Sequence, residues 1–445
     1  MPQAKKRALE EPEEVICTKS ELCYDVRPFK QITIDKHYNI HIGPKAALSD
    51  ESPLVFEISG SGEDYWDVGD MYLQVRGKIT NADGSNLTQD ADVGSINNLA
   101  NGMFSQLDVV LNDTVISQSH GMYGYEAYLT NLLSFSPEVK KTQMYMEGWE
   151  DDEAGKFSDK ANVGYVSRKK RYAESKEFEF KFRLHTDLTF QNRLMPNHVT
   201  GRLTLTRAKN AFCLLGFENP RTQNQHYKIM LTYASLEVRK VKVSPEYQLL
   251  IEQKILGKGG AHFPITHTVM KNFTIPQGNS TYDLDGLFLG QLPWAITLGF
   301  ITNTAFMGNY SSNPYEFKHF NLCHISLNVE GDSVPTRPLT PDYSLKRYTE
   351  CYETIFKGTK MLGDDVTHGI TYEEYPNGYC LYCFNLTPDD SDGVSHVSQR
   401  KTGNIRLSLR WTTALEDAIS LIVLGQMQNT LTIDSNRDII VDYAP

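Results

Sequence analysis

Cys380 and Cys383 stand as a CxxC pair, the spacing with which thiolates hold zinc or exchange a disulfide. They lie inside the run YCLYCF (379–384), which reads as a strand. A strand's period of two sends positions 380 and 383 to opposite faces, so they cannot share one metal there. No second CxxC stands at zinc-ribbon spacing, and both cysteines are expected in a core or at its rim. His319, Cys323 and His324 form another candidate group, and His262 with His267 a third. Imidazole is a common metal ligand, but a His-x4-His spacing fixes no shared face on a strand. No carboxylate accompanies either group at a recognised spacing, so surface or contact histidines are expected, with no metal and no cofactor.

Gly257-Lys258-Gly259-Gly260 is basic and glycine-rich but lacks the spacing of a phosphate-binding loop, and it reads as a linker. A GxSxG elbow and an HExxH helix are absent. The 55 Asp and Glu residues guarantee accidental carboxylate pairs, so glycosidase chemistry does not follow from their presence. No catalytic residue emerges, and the chain is not expected to be an enzyme. Two basic runs remain. Arg168, Lys169, Lys170 and Arg171 form the densest, read either as a solvated loop or as a nuclear-import or inner-shell contact. Lys5, Lys6 and Arg7 carry the same two readings in a polar leader. Six Asn-x-Ser/Thr sequons (Asn86, Asn112, Asn272, Asn279, Asn309, Asn385) read as chance matches, since the first residues show no secretory h-region.

The elements that carry these residues are β-strands. With 445 residues the chain fits two domains better than one core. Hydrophobic residues at 40% and charged ones at 22% are ordinary for a globular protein, while 11% aromatics lean toward sheet. A net charge of −11 argues against a surface built to grip nucleic acid. Seven scattered cysteines read as reduced thiols, and no stretch approaches the ~20 apolar residues of a membrane span. Phe178, Phe180, Phe182 and Leu184 alternate with Glu179, Lys181 and Arg183. Leu73, Val75 and Ile79 behave likewise, as do Ile405, Leu407, Leu409 and Trp411. Each such run has one core face and one wet face, the pattern of an antiparallel sandwich.

The pattern occurs twice. Phe56, Ile58 and Tyr65 recur 217 positions later as Phe273, Ile275 and Tyr282. Phe104, Leu111 and Asn112 recur 216 positions later as Phe320, Leu327 and Asn328. A helical stretch follows each time, marked by Tyr125, Tyr128, Leu129, Leu132 and Leu133, then by Leu345, Tyr348, Tyr352, Ile355 and Phe356. Gly201-Arg-Leu203-Thr-Leu205 parallels Gly403-Asn-Ile405-Arg-Leu407. So long a period means duplicated domains rather than a solenoid. Between the copies, Ser244-Pro245 opens a helix with an apolar patch at Leu249–Ile251, and the glycines end it. The expected division is an arm at 1–25, a first sandwich at 26–244, a linker helix and Gly-rich turn at 245–261, and a second sandwich at 262–445.

Five blocks carry a resemblance. They are FEISGSGEDYWDVGDMYLQVRGKITNADG (56–84), LFLGQLPWAITLGFITNTAFMGNY (287–310), NPYEFKHFNLCHISLNVEGDSVPTRPLTPDY (313–343), EEYPNGYCLYCFNLTPD (373–389) and IDSNRDIIVDY (433–443). The chain resembles the hexon-like major capsid proteins of polintons (Mavericks) and adintoviruses, over residues 45 to 443. The resemblance implies an all-β fold of two tandem eight-stranded jelly rolls, a double jelly roll of the adenovirus–tectivirus lineage with short helices in its loops. It implies a homotrimer that forms pseudo-hexagonal capsomers, tiling an icosahedral shell around double-stranded DNA with penton and minor capsid proteins. It also implies a virion location after synthesis in the host cytoplasm, with assembly in the host nucleus. Loops 81–102, 145–175 and 303–316 are expected to supply contact surface and the outward tower. Two other readings share the fold: a host-domesticated binding module such as a glycan reader, and a tandem jelly-roll enzyme.

Overall fold

A computed structural model describes residues 30–50, 52–217, 227–257, 259–387 and 399–443. Eight strands make the first roll: β1 (Ile34–Ile42), β2 (Leu54–Ile58), β3 (Tyr65–Asn81), β4 (Phe104–Leu111), β5 (Thr114–Gln118), β6 (Phe178–Arg183), β7 (Gly201–Arg207) and β8 (Tyr227–Val243). Eight more make the second: β9 (Ala261–Ile275), β10 (Thr281–Gln291), β11 (Ala295–Thr302), β12 (Leu322–Val329), β13 (Asp332–Leu339), β14 (Leu381–Asn385), β15 (Thr402–Trp411) and β16 (Ile419–Ile433). The first roll's sheets run β1-β8-β3-β6 and β2-β7-β4-β5. The second roll's run β9-β16-β11-β14 and β10-β15-β12-β13. Counted within each roll, the two orders are identical. A short strand, β17 (Ile439–Val441), pairs with the end of β16.

The expected alternation appears as written. Phe178, Phe180 and Phe182 point into the core of the first roll, Leu73 and Val75 of β3 stand opposite Phe182 and Phe180, and Ile79 is buried further along β3. Ile405, Leu407, Leu409 and Trp411 do the same in the second roll. The landmark pairing needs a correction. Phe104–Leu111 and Leu322–Val329 are both fourth strands, and Gly201–Arg207 and Thr402–Trp411 both seventh strands, as the repeat implied. Phe56 instead lies on the second strand of its roll, whereas Phe273 lies on the first strand of its own. The 217-residue match therefore joins strands that are not equivalent. An apolar-x-apolar triplet before a glycine turn marks most strands of a sandwich, so it identifies a strand but not which one.

Helix α1 (Tyr123–Ser134) follows the fifth strand of the first roll, and α4 (Thr349–Thr359) follows the fifth strand of the second. Leu345 falls before α4 and is exposed. Helix α2 (Val163–Tyr172) occupies the stretch read as a basic loop. Helix α3 (Pro245–Gly257) joins the rolls, with Ser244 O accepting from Gln248 N. Gly259 and Gly260 end it at φ +75° and +120°, and Gly260 N donates back to Ile255 O. A Cβ on Gly260 would press on Ile433 O, so glycine is required there twice over.

The rolls differ in how their sheets are covered. Strands β3 and β6 keep a wet face, and β1 is exposed along most of its length. Their equivalents β11 and β14 are buried on both faces. One apolar core runs through both rolls without a break, because the first roll packs onto the second.

Candidate functional site at the seam between the rolls

Aromatic rings fill the centre of this seam. Tyr128 of α1 lies between Trp149 at 5.4 Å and Tyr315 at 3.9 Å, the latter pair tilted by only 4°. Tyr315 donates to Gly124 O at 3.1 Å, and a Cβ on Gly102 would meet its hydroxyl at 3.0 Å. Tyr125 completes the cluster against Phe212 and Phe306. Helix α1 buries ten of its twelve residues, because the first roll covers one side and the second roll the other. Segments expected to stand outward supply these rings: Trp149, Phe157 and Tyr165 from 145–175, and Tyr315 from 303–316, are all fully buried. The hydrophobic effect wins over loop exposure here, each ring removing a large apolar area from water.

Arg168 is the clearest departure from the sequence reading. Its side chain is 0% exposed and pairs with an equally buried Asp152 at 2.5 Å. Nε donates to Ser95 O at 2.8 Å and Nη1 to Glu150 O at 2.6 Å. Asp152 also accepts from Asn162 at 2.9 Å and from Asn313 of the second roll at 3.1 Å. Tyr379 donates to the Asp152 carbonyl from the same side. Asn162 caps α2 through Gly164 N at 2.9 Å. Of the four basic residues, Lys169 pairs with Asp92 at 2.7 Å, and Arg171 lies over the rings of Tyr145 and Phe180. Lys170 is exposed. The run is thus the last turn of a helix, where cations suit the dipole, and not a solvated loop. Lys5, Lys6 and Arg7 lie outside the described residues.

A second polar cluster crosses the seam at Asp187, four residues past β6. His267 of β9 bonds it at 2.6 Å, and Thr268 N donates to its other oxygen at 3.0 Å. The Tyr443 ring stacks on His267 at 4.4 Å, while its hydroxyl donates to Ile116 O of β5. His267 is therefore buried and not on the surface, because an acid from the other roll receives it. Burial raises the Asp187 carboxyl, although His267 pulls it down. Burial also lifts Glu126, beside it, well above the usual carboxylate range.

Arg437 adds a third tie. It donates to Asn197 O at 2.9 Å and Asn197 Oδ1 at 2.7 Å, and it pairs with Glu252 of α3. Its own carbonyl accepts from Asn112 at 2.9 Å. Lys140 is a fourth, with Nζ on Leu132 O at 2.6 Å and on His368 O at 3.0 Å, and burial lowers it to about 8.

The candidate cysteines stay apart. Cys380 lies near the hydroxyls of Tyr343 and Tyr382, and Cys383 near that of Thr297, both buried in apolar surroundings. His319 stacks on Tyr343 at 4.0 Å and burial lowers it to about 4. His262 contacts Thr432 at the sheet edge. Among the described residues, no group of three or more His, Cys, Asp or Glu side chains is arranged to hold a metal.

No protein-family model matches the sequence. An uncharacterized protein of Caenorhabditis elegans is 22% identical over 412 residues, covering 89% of this chain and 95% of that one. Solved structures are nearer in shape. The Sputnik virophage structure superposes with a TM-score of 0.67 at 11% identity, over 98% of this chain and 94% of that one. The capsid of the virus PBCV-1 gives 0.58 at 12%, over 94% and 99%. The mavirus major capsid protein gives 0.55 at 11%, over 99% and 96%. The chain has the double jelly-roll fold.

Seen as a double jelly roll, the seam is the contact between consecutive rolls. Sequence reading missed Asp187, Glu126, Lys140 and Arg437, since their partners lie far away along the chain. One partial signal was available: besides the apolar face of Tyr125, Tyr128, Leu129, Leu132 and Leu133, the far side of α1 carries Tyr123, Gly124 and Ala127 among its polar residues. Its polar side is thus too small and broken for a helix that faces water fully.

Proposed function

We propose that this chain is a major capsid protein, the shell-forming subunit of a double-stranded DNA virus or virus-like element of the polinton–adintovirus kind. It acts through interfaces rather than through a catalytic centre. The observation that carries this reading is the head-to-tail seam between two rolls of identical strand order. A heterologous contact of this kind closes into a ring when its rotation completes a turn. Three copies then present six similar rolls, a pseudo-hexagon that tiles a shell. The neighbours in shape, a virophage, PBCV-1 and mavirus, support the same reading. The continuous core makes each pair of rolls one rigid unit, as a tile requires. Penton and minor capsid proteins are the remaining partners, the genome is enclosed without being gripped, and the virion is the destination after synthesis in the cytoplasm and assembly in the nucleus. In such assembly Lys170 and the Lys5–Arg7 run remain candidates for import or inner-shell contact. The burial of Arg168 speaks against that role for it.

Negative-stain imaging of the purified full chain tests the reading. Rings of six lobes with threefold symmetry, some joined into curved sheets or closed particles, are the expected result. Fields of isolated two-lobed particles at every concentration would overturn it.

A further inference from the structure

The duplication shows which surfaces are used inside the chain and which are left over. The side of the first roll bearing β5 and β6 receives two pieces of the second roll. One is its first strand, β9, through His267 on Asp187. The other is the segment that follows its last strand, through Tyr443 on Ile116 O and Arg437 O on Asn112. The equivalent side of the second roll bears β13 and β14. There a groove of about 730 Å³ lies open between Pro335, Leu339, Phe384 and the Glu353, Lys357 face of α4, with Leu362 at its margin. The equivalent pieces of the first roll are its first strand, β1, and the segment after its last strand, α3. Both are uncovered. Tyr247 and Ile251 turn inward onto Tyr65, Val241 and Val243. Leu249, Leu250 and Leu256 remain 61%, 47% and 68% exposed. An isolated leucine on a surface is ordinary, but Leu249 and Leu256 on one helix face, with Leu250 at its flank, need a partner.

We propose that the groove bounded by β13, α4 and β14 receives helix α3 and strand β1 of a second copy of this chain. This deepens the capsomer reading and rests on it. The chemistry of the two surfaces agrees. Apolar walls at Leu339, Leu362 and Phe384 meet the three leucines of the helix. Charges of both signs rim the two surfaces, Arg337, Lys357, Lys360, Glu350 and Glu353 on the groove and Glu246, Lys254, Asp35 and Lys36 on the incoming helix and strand, so the apolar contact carries the fit. The contact is heterologous, like the seam, so it propagates from copy to copy and closes when three chains have joined. Within one chain the groove and the outer face of the helix are both left open, so neither covers the other.

Mass measurement of full-length variants tests the assignment. Leu249→Glu with Leu256→Glu spoils the helix, Leu362→Glu spoils the groove, and Val163→Glu, exposed on α2 away from both, is the control. Each lost leucine contact should weaken association by about tenfold or more. The helix variant and the groove variant are each expected to run as single chains, and the control as the wild type does. An equimolar mixture of the two variants keeps one intact groove and one intact helix, so it is expected to form a two-chain species and no ring. That recovery separates interface loss from misfolding. Wild type and both variants all remaining three-chain species would overturn this surface assignment and leave the capsomer reading standing. A single-chain wild type would overturn both.

Discussion

His267 Nδ1 lies 2.6 Å from Asp187 Oδ2, with the two side chains 5% and 1% exposed, and the bond joins one jelly roll to the other. The residues are 80 positions apart in sequence. Removing one partner strands a polar or charged group in the interior. Asp187→Asn and His267→Ala should each destabilise the chain by about 3 kcal/mol, the usual cost of breaking a buried pair. In a double-mutant cycle by urea denaturation, the combined variant should lose clearly less than the two single losses together. Additive losses would mean that the bond is not the link.

Two buried histidines and a half-buried one set an acid limit. Burial lowers His185 to about 3, and His319 and His368 to about 4, from 6.5. Below 6.5 the unfolded chain therefore binds more protons than the folded one. Their stability contribution is full above pH 6.5 and is lost as pH falls toward 4 and 3. His185 Nδ1 has no hydrogen-bond partner and its ring packs on Phe190, so His185→Phe keeps the packing and removes the titration. The midpoint of thermal unfolding should fall less steeply between pH 6.5 and 4 in that variant. An unchanged slope would count against burial as the cause.

Glu147 works with the opposite sign. Burial raises it from 4.5 to about 7, although Asn131, Asn101 and a backbone donor at Arg183 oppose the rise. Its protonated form is favoured in the fold, so its contribution is full below pH 4.5 and lost as pH rises through about 7. Glu147→Gln should thus be more stable than the wild type at pH 8 and nearly equal to it at pH 4.5. Calorimetry at the two pH values checks the pair of signs.

Arg168→Ala should cost about 3–5 kcal/mol, because Asp152 would be left buried without its cation. Arg168→Lys should recover little, since three separate acceptors are met by one planar fork. Lys170→Ala, on the exposed side of the same helix, should stay within about 0.5 kcal/mol. Chemical denaturation of the three variants gives the ranking directly.

These residues also show what was legible in the sequence. Gly201–Leu205 matched Gly403–Leu407 because glycine followed by strict alternation is written locally, and both proved to be seventh strands. The match of Phe56 to Phe273 failed because first and second strands carry the same short pattern. The basic run at 168–171 looked like a loop, since charge density is visible in sequence while the burial of Arg168 by Asp152, Asn162 and Asn313 is not. Asp187 and His267 carry no spacing signal at all: sandwich topology brings them together, and it is set by sheets that form across the whole chain.

The most direct test of the capsomer is the mass of the purified chain in solution, measured by light scattering at micromolar concentration. One chain is 50.5 kDa, so a ring of three pairs of rolls should give about 150 kDa or larger assemblies built from that unit. A stable species of 50.5 kDa across the concentration range would contradict a shell-forming role.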